Sequence, residues 1–400
     1  MRVNKNKKRR KNKIITAVYA ALVIIFALIL IFILNLSANK SKWKLAGFSF
    51  MENEKFGFMD KSGVIKIPAV YEERIYSFSE NLAAVLLDGK YGYIDKNGTQ
   101  KIKITFDSAR AFSEKLAAVS LGGRYGYINA KGEFAIPANF EDAYSFNGGL
   151  AAVKTGGYWG YINKKGGYVI NPQYGAASNF SNGFAAVEKN GLWGIIDKKG
   201  KYITETEYQE INKTFDGPLI LVKKDNLFGY INKKGKLIID FEYTEASIIS
   251  ENLGRVRGNG LFGYIDKKGN FKIKASYSEA ADFSNGLAFV KERGAEGNLG
   301  YCVINKQGKV IINAQFSAYR NFKDGTAAVS VGDKWGVINK KGRYIINPRY
   351  DAISDFESGL AIVRLDDKVG VIDKKDNIVI EIKYNNSNSY NYYGLSMVME

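Results

Sequence analysis

Ten near-copies of one phrase, mostly 34 or 35 residues apart, constrain this chain more than any other feature. At residues 191–200 the phrase reads GLWGIIDKKG. Aligning on the glycine after the aromatic gives Gly57, Gly92, Gly126, Gly160, Gly194, Gly229, Gly263, Gly336 and Gly370. A disturbed copy, LGYCVINKQG, falls before Gly336 and puts Tyr301 in the aromatic place and Cys302 in the glycine place. A period this short is one supersecondary unit, too small to be stable alone, so neighbouring units must bury each other's faces.

Within a unit the pattern reads as strands. LAAVK (150–154) is a short apolar run, a glycine-bearing turn leads to WGYIN (159–163), and NKKG turns again into GYVINPQY (167–174). This predicts a three-stranded antiparallel meander with two tight hairpins. Trp159 and Tyr161 share one face of the second strand while Gly160 and Ile162 share the other, and both faces are apolar, so the strand should be covered on both sides. The glycine leaves a gap into which a neighbouring ring can pack. The aromatics closing the third strand and recurring about six residues later, as Tyr174 and Phe180 or Tyr350 and Phe356, are read as plugs between units.

YWGYINKKG (158–166), LWGIIDKKG (192–200) and KWGVINKKG (334–342), with the GLAAV or GFAAV segments and the closing tyrosines, make the chain resemble the bacterial WG-repeat, or KWG-repeat, family from about residue 43 onward. The signature positions are Trp159, Gly160, Trp193, Gly194, Trp335 and Gly336. Phenylalanine, tyrosine or Val369 replaces the tryptophan in other copies, and Asp376 replaces one turn glycine. The resemblance implies an extracytoplasmic or cell-surface module and carries no enzymatic activity with it.

The expected fold class is an all-β repeat domain over residues 43–400, about ten meanders in an open, curved or superhelical array, with a closed propeller-like ring as the alternative. Ten copies exceed the roughly 4–8 blades of usual propellers. The terminal GLSMVME, a further copy of the first strand, would cap the last unit. Residues 1–13 carry eight positive charges and no acid, and Ile14–Leu34 is uncharged and apolar. A span of about 20 apolar residues crosses a bilayer, whereas a cleaved signal usually has about 7–15. The expectation is therefore a basic cytoplasmic segment (1–13), a transmembrane helix (14–36), a linker (37–42) and the repeats outside, with a cleaved signal as the alternative.

The composition removes many chemistries. There is no histidine and one cysteine, so Ser/His and Cys/His nucleophile pairs and intramolecular disulfides are excluded. Cys302 is read as a small residue in the glycine slot. The Asp or Asn before the lysines, in all ten copies, is read as a turn-former and not a metal ligand, since half are neutral asparagine. No cofactor or metal is expected. The best enzymatic alternative is a glycan-processing carboxylate pair, Glu205 and Glu207, in TETEYQE.

Lysine fills 16 of the 20 positions between the Asp/Asn and the turn glycine or its substitute. The candidate anion-binding stripe is Lys164, Lys165, Lys198, Lys199, Lys233, Lys234, Lys267, Lys268, Lys340 and Lys341. Equivalent turns in stacked sheets lie about 10 Å apart, near the Debye length at 0.1 M salt, so the charges act partly together. The expected function is a non-enzymatic, membrane-anchored binding or scaffolding module at the cell surface, with a protein, cell-wall glycan or anionic polymer as partner. The formal net charge of +18 includes the basic terminus, and nucleic acid is not an expected partner. The exposed tyrosines of SNSYNYYG (387–394) are an additional candidate for a sticky surface.

Overall fold

The protein is described from a computed structural model that covers residues 44–293, 300–385 and 395–400. Among these every regular element is a β-strand. The expected membrane span, the linker, Trp43 and the tyrosine-rich segment lie outside the described residues. Among the described residues no helix is long and apolar enough to cross a membrane.

The fourth unit illustrates the plan. Leu150–Thr155, Tyr158–Asn163 and Tyr168–Tyr174 form the expected antiparallel meander. The expectation of three strands per unit is corrected by a further strand of two residues, Asp142–Ala143, which pairs with Val153 and Lys154 at the other edge. It comes from the connection leaving the preceding unit, and two residues carry too little pattern to be read as a strand. Seven sheets have four strands, units seven and eight share one of seven through the long strand Phe271–Ala280, and unit two has three.

Register explains the two glycines of the phrase. Tyr168 pairs with Ile162 and Ile170 with Tyr161, so one extra residue, Val169, is inserted into the third strand as a bulge. The bulged backbone then passes over Gly160, where an added Cβ would lie 2.6 Å from the Ile170 carbonyl oxygen. The expected ring from a neighbouring unit is not what fills the glycine gap: the third strand of the same unit does, with its backbone at Gly160 and with the Phe241 side chain at Gly229. The turn glycine Gly166 has φ +83° and abuts Ile136 of the preceding unit, so it answers both a turn and a close approach.

The faces are as the alternation requires. Trp159, Tyr161 and Ala152 pack with Ala177, Phe180, Val187 and Ile196 of the following unit. On the other side Ala151, Val153 and Ile162 pack with Tyr127 and Ile136 of the preceding one. Phe180 meets Tyr161 edge-on at 4.7 Å, so the plug reading of the second aromatic holds.

The two ends of the series meet. Leu395–Met399 pairs antiparallel with Leu45–Glu52 as the fourth strand of the first sheet. Phe48, Phe50 and Met59 of unit one share a core with Ile362, Val369, Val371 and Ile380 of unit ten. The expectation of a last strand capping the last unit is corrected here: it completes the first sheet. The reason is edge satisfaction, since Leu45–Glu52 would otherwise expose unpaired N–H and C=O groups along one side. Each sheet remains individually open, and no sheet closes into a barrel. All ten core clusters use residues from Leu45 onward, so residues 44–400 carry a complete core of their own.

Candidate functional site

The hairpin between second and third strands is built the same way in every unit. In unit four the Asn163 side-chain oxygen accepts from the Lys165 and Gly167 amides at 2.9 and 3.2 Å. Asp197 does the same for Lys199 and Lys201, and Asp373 for Lys375 and Asn377. The Asp or Asn is therefore committed to the turn backbone. In Asp60 the Ser62 hydroxyl, with the Val64 and Ser62 amides and Lys66, outweighs burial and holds the carboxyl down at about 2.

The turn presents its two lysines differently. The first reaches back to the loop that opens the preceding unit: Lys164 pairs with Glu114 at 3.0 Å, Lys198 donates to the Gly148 carbonyl at 2.6 Å, and Lys306 pairs with Glu251 at 3.0 Å. Lys96 pairs instead with Glu400, just after the terminal strand Leu395–Met399. Burial opposes ionisation of Glu114, yet Lys164 and the Gly148 and Gly149 amides keep its carboxyl below the ordinary value. These first lysines join unit to unit. The second lysines, Lys165, Lys199, Lys234, Lys268 and Lys341, are exposed and make no ion pair among the described residues. Lys233, Lys267 and Lys340 also make none among the described residues. The sequence treats both positions as one stripe; in the structure the first lysine is bonded to the preceding unit in some turns, as at Lys164 and Lys198, while the second lysines stay open.

The signature residues are architectural. Trp159 is buried and stacked on Tyr144 at 4.7 Å, and Trp193 lies 3.5 Å beneath the Lys213 ammonium, whose pKa burial lowers. Trp335 packs at the edge of the core between units nine and ten. Added Cβ atoms at Gly194 and Gly336 would strike third-strand backbone at 2.9 and 2.6 Å. Cys302 is buried, and burial raises its thiol pKa, which suits an inert residue in the glycine slot. Glu207 pairs with Lys224 at 2.7 Å while Glu205 is exposed, so the two carboxylates have different surroundings.

The sequence pattern gave no warning of two features. A cavity of about 330 Å³ beside the disturbed eighth unit is lined by Lys291, Tyr301, Gln315 and Ser317 among others. Three of its polar groups already have partners: Tyr301 and Lys291 both face Glu279, and Ser317 Oγ donates to the Gly332 carbonyl at 2.9 Å. The second feature is the residue pair at the bulge, such as Tyr168 and Val169, both exposed although adjacent in a strand.

The fold and its tenfold turn define a β-repeat protein whose recurring phrase builds the scaffold and leaves the second-position lysines of units four to seven and nine open. The family model for the WG containing repeat matches ten successive segments, from residues 56–91 and 91–125 through 335–368 and 370–400, and the chain belongs to that family. No curated protein matches it in sequence. In structure it is similar to a eukaryotic initiation factor at 13% identity and TM-score 0.45, over 84% of this chain and 100% of that one. It is also similar to Hsv2p of Kluyveromyces lactis at 16% identity and TM-score 0.33, over 54% of this chain and 78% of that one. The extracellular domain of a one-component system from B. thetaiotaomicron matches at 10% identity and TM-score 0.29, over 85% and 59% respectively. Likenesses at these scores carry no argument about function.

Proposed function

We propose that this WG-repeat domain is a non-enzymatic binding and scaffolding module, held at the outer face of a cell membrane by the apolar segment Ile14–Leu34, and that it engages a repetitive anionic polymer through its open lysine column. The carrying observation is that the same turn recurs in successive units with its second lysine exposed and unpaired among the described residues. Regularly spaced weak charges favour a partner with regularly spaced opposite charges, because each further contact is intramolecular once the first has formed. A single-sign row also raises the encounter rate and makes binding salt-dependent. A displayed scaffold of this kind needs no cofactor.

The test compares residues 44–400 with a variant in which Lys165, Lys199, Lys234 and Lys268 become glutamine, using long-chain polyphosphate as the probe. The expected result is salt-sensitive binding by the parent and a loss of about tenfold or more in the variant, with an unchanged melting temperature. The same substitutions at Lys164 and Lys198 should instead lower the melting temperature. Equal binding and equal salt dependence in the open-column variant would overturn the reading.

A further inference from the structure

The open lysines have apolar neighbours of a repeated kind. In every unit the third strand takes its extra residue directly after the lysine turn: Ile65 pairs with Met59 and Ile67 with Phe58 in unit one, and Ile378 with Ile372 and Ile380 with Val371 in unit ten. An extra residue breaks the alternation of a strand, so two consecutive side chains leave on the solvent side before the next turns inward. Tyr168 and Val169 are accordingly 41% and 42% exposed, and Ile170 is buried. The exposed pair is apolar again as Leu237–Ile238, Val310–Ile311 and Tyr344–Ile345. Units one, three and seven expose one large apolar residue here, Ile65, Phe134 and Phe271.

Such exposure at the equivalent position of units four, six, eight and nine, with single residues in units one, three and seven, is more than the scattered apolar exposure any surface has. It is not suited to receiving an added β-strand. Four of the five prolines, Pro68, Pro137, Pro172 and Pro348, lie in these third strands, and at a sheet edge proline blocks backbone pairing. At those four third strands, in units one, three, four and nine, the edge disfavours another backbone while the side chains remain outward. An occupant must therefore meet side chains, be apolar at its surface layer, and carry negative charge opposite Lys165, Lys199, Lys234, Lys268 and Lys341. A bilayer with anionic headgroups meets all three conditions, since aromatic and aliphatic groups enter the interfacial layer while lysines stay at headgroup level.

We propose that the lysine turns and the bulge-exposed apolar pairs form one belt that docks the repeat domain on an anionic lipid bilayer. This rests on the open lysine column of the proposed function but adds the apolar half of the surface and commits to lipid as the occupant.

The experiment uses residues 44–400 with vesicles of phosphatidylglycerol and phosphatidylcholine, vesicles of phosphatidylcholine alone, and polyphosphate. The apolar variant is Y168S/V169S/Y344S/I345S, with circular dichroism melts as the folding check. The parent should sediment with the anionic vesicles and not the neutral ones, and the apolar variant should lose about tenfold or more of that binding while keeping polyphosphate binding. In a second measurement, Tyr168→Trp in the parent should be quenched by brominated lipid in the anionic vesicles. Undiminished vesicle binding by the folded apolar variant, or an unquenched tryptophan, overturns the belt. Binding to polyphosphate without binding to vesicles also overturns it, yet leaves the proposed function standing. Binding to neither overturns both.

Discussion

The phenol of Tyr161 donates a hydrogen bond of 2.8 Å to the carbonyl oxygen of Ser178, 17 residues further on. Tyr93 to Arg110, Tyr127 to Tyr144, Tyr230 to Ser247 and Tyr264 to Ala281 repeat it at 2.6 to 2.8 Å. Each ties the middle strand of one unit to the connection that starts the next. Burial of the ring raises the phenol pKa, so the donor stays protonated throughout the physiological range. Removing only the hydroxyl by Tyr161→Phe leaves a carbonyl without its donor and should destabilise the domain by about 1–2 kcal/mol. Tyr161→Ala, which also empties the space against Phe180, should cost about 3–5 kcal/mol. Urea denaturation of residues 44–400 measures both, and equal effects from the two changes would mean that the hydrogen bond carries the contact alone.

The glycine of the second strand is a packing requirement and not a conformational one. At Gly160 an added methyl would meet both the Ile170 carbonyl oxygen and the Pro172 nitrogen at 2.6 Å, and backbone cannot rotate away as a side chain would. Gly160→Ala is expected to cost about 1–3 kcal/mol, and Gly194→Val should be worse because its branch also enters the layer. The exposed turn glycine Gly157 has nothing within 4 Å but φ +81°, so alanine there meets only backbone strain of about 1–2 kcal/mol. Melting temperatures for the three variants rank the effects, and an unchanged melt for Gly194→Val contradicts the packing role.

At low pH the turn aspartates should give way before the asparagine copies do. Burial works against ionisation of Asp266, but the Lys268 amide, the Lys272 ammonium and the Asn270 amide outweigh it and bring the carboxyl to about 2 from an ordinary 3.8. A folded-state value below the unfolded one means stability that is present in full above about pH 4 and is lost as pH falls through about 2. Asp266→Asn keeps the side-chain oxygen that accepts both turn amides, as Asn163 and Asn339 already do. The variant, which loses the ion pair with Lys272, should melt somewhat below the parent at pH 7 and lose less stability between pH 4 and pH 2, so that the two converge in acid. A parallel acid limb in the two proteins would show that this turn does not report proton uptake.

Much of this arrangement was legible because it is local and periodic. The assignment of Trp159 and Tyr161 to one face and Ile162 to the other follows from strand geometry alone, and ten Asp or Asn residues three positions before a glycine, or before Asp376 in the last copy, identify the turn. What escaped depends on register or on distant chain. Nothing in YVINPQY distinguishes an ordinary strand from one with an extra residue at Val169, because Tyr, Val and Ile suit either. Which first lysines are bonded depends on loops distant in the chain, as with Gly148 and Lys198, 50 residues apart. The terminal strand reads as a first strand without a sheet because its partner is 345 residues distant in the pair formed by Phe50 and Leu395.

That terminal strand supplies the sharpest test of how the units are joined. Leu395 and Val398 are fully buried, in the cores that unit one shares with units ten and two respectively. Phe78 also donates its amide to the Met399 carbonyl at 2.9 Å. Deleting residues 395–400 removes two buried aliphatic side chains, each worth about 1.5–3 kcal/mol, and opens the edge of Leu45–Glu52. The expected result is faster hydrogen exchange in Leu45–Glu52 and around Ile75–Phe78, with a smaller change in Leu360–Leu365. If the strand capped the tenth unit instead, protection would be lost first in Leu360–Leu365 and Lys368–Asp373 while the first sheet kept its exchange rates. Mass-spectrometric hydrogen exchange on the truncated and parent proteins separates the two outcomes, since the two ends of the chain fall in different peptides.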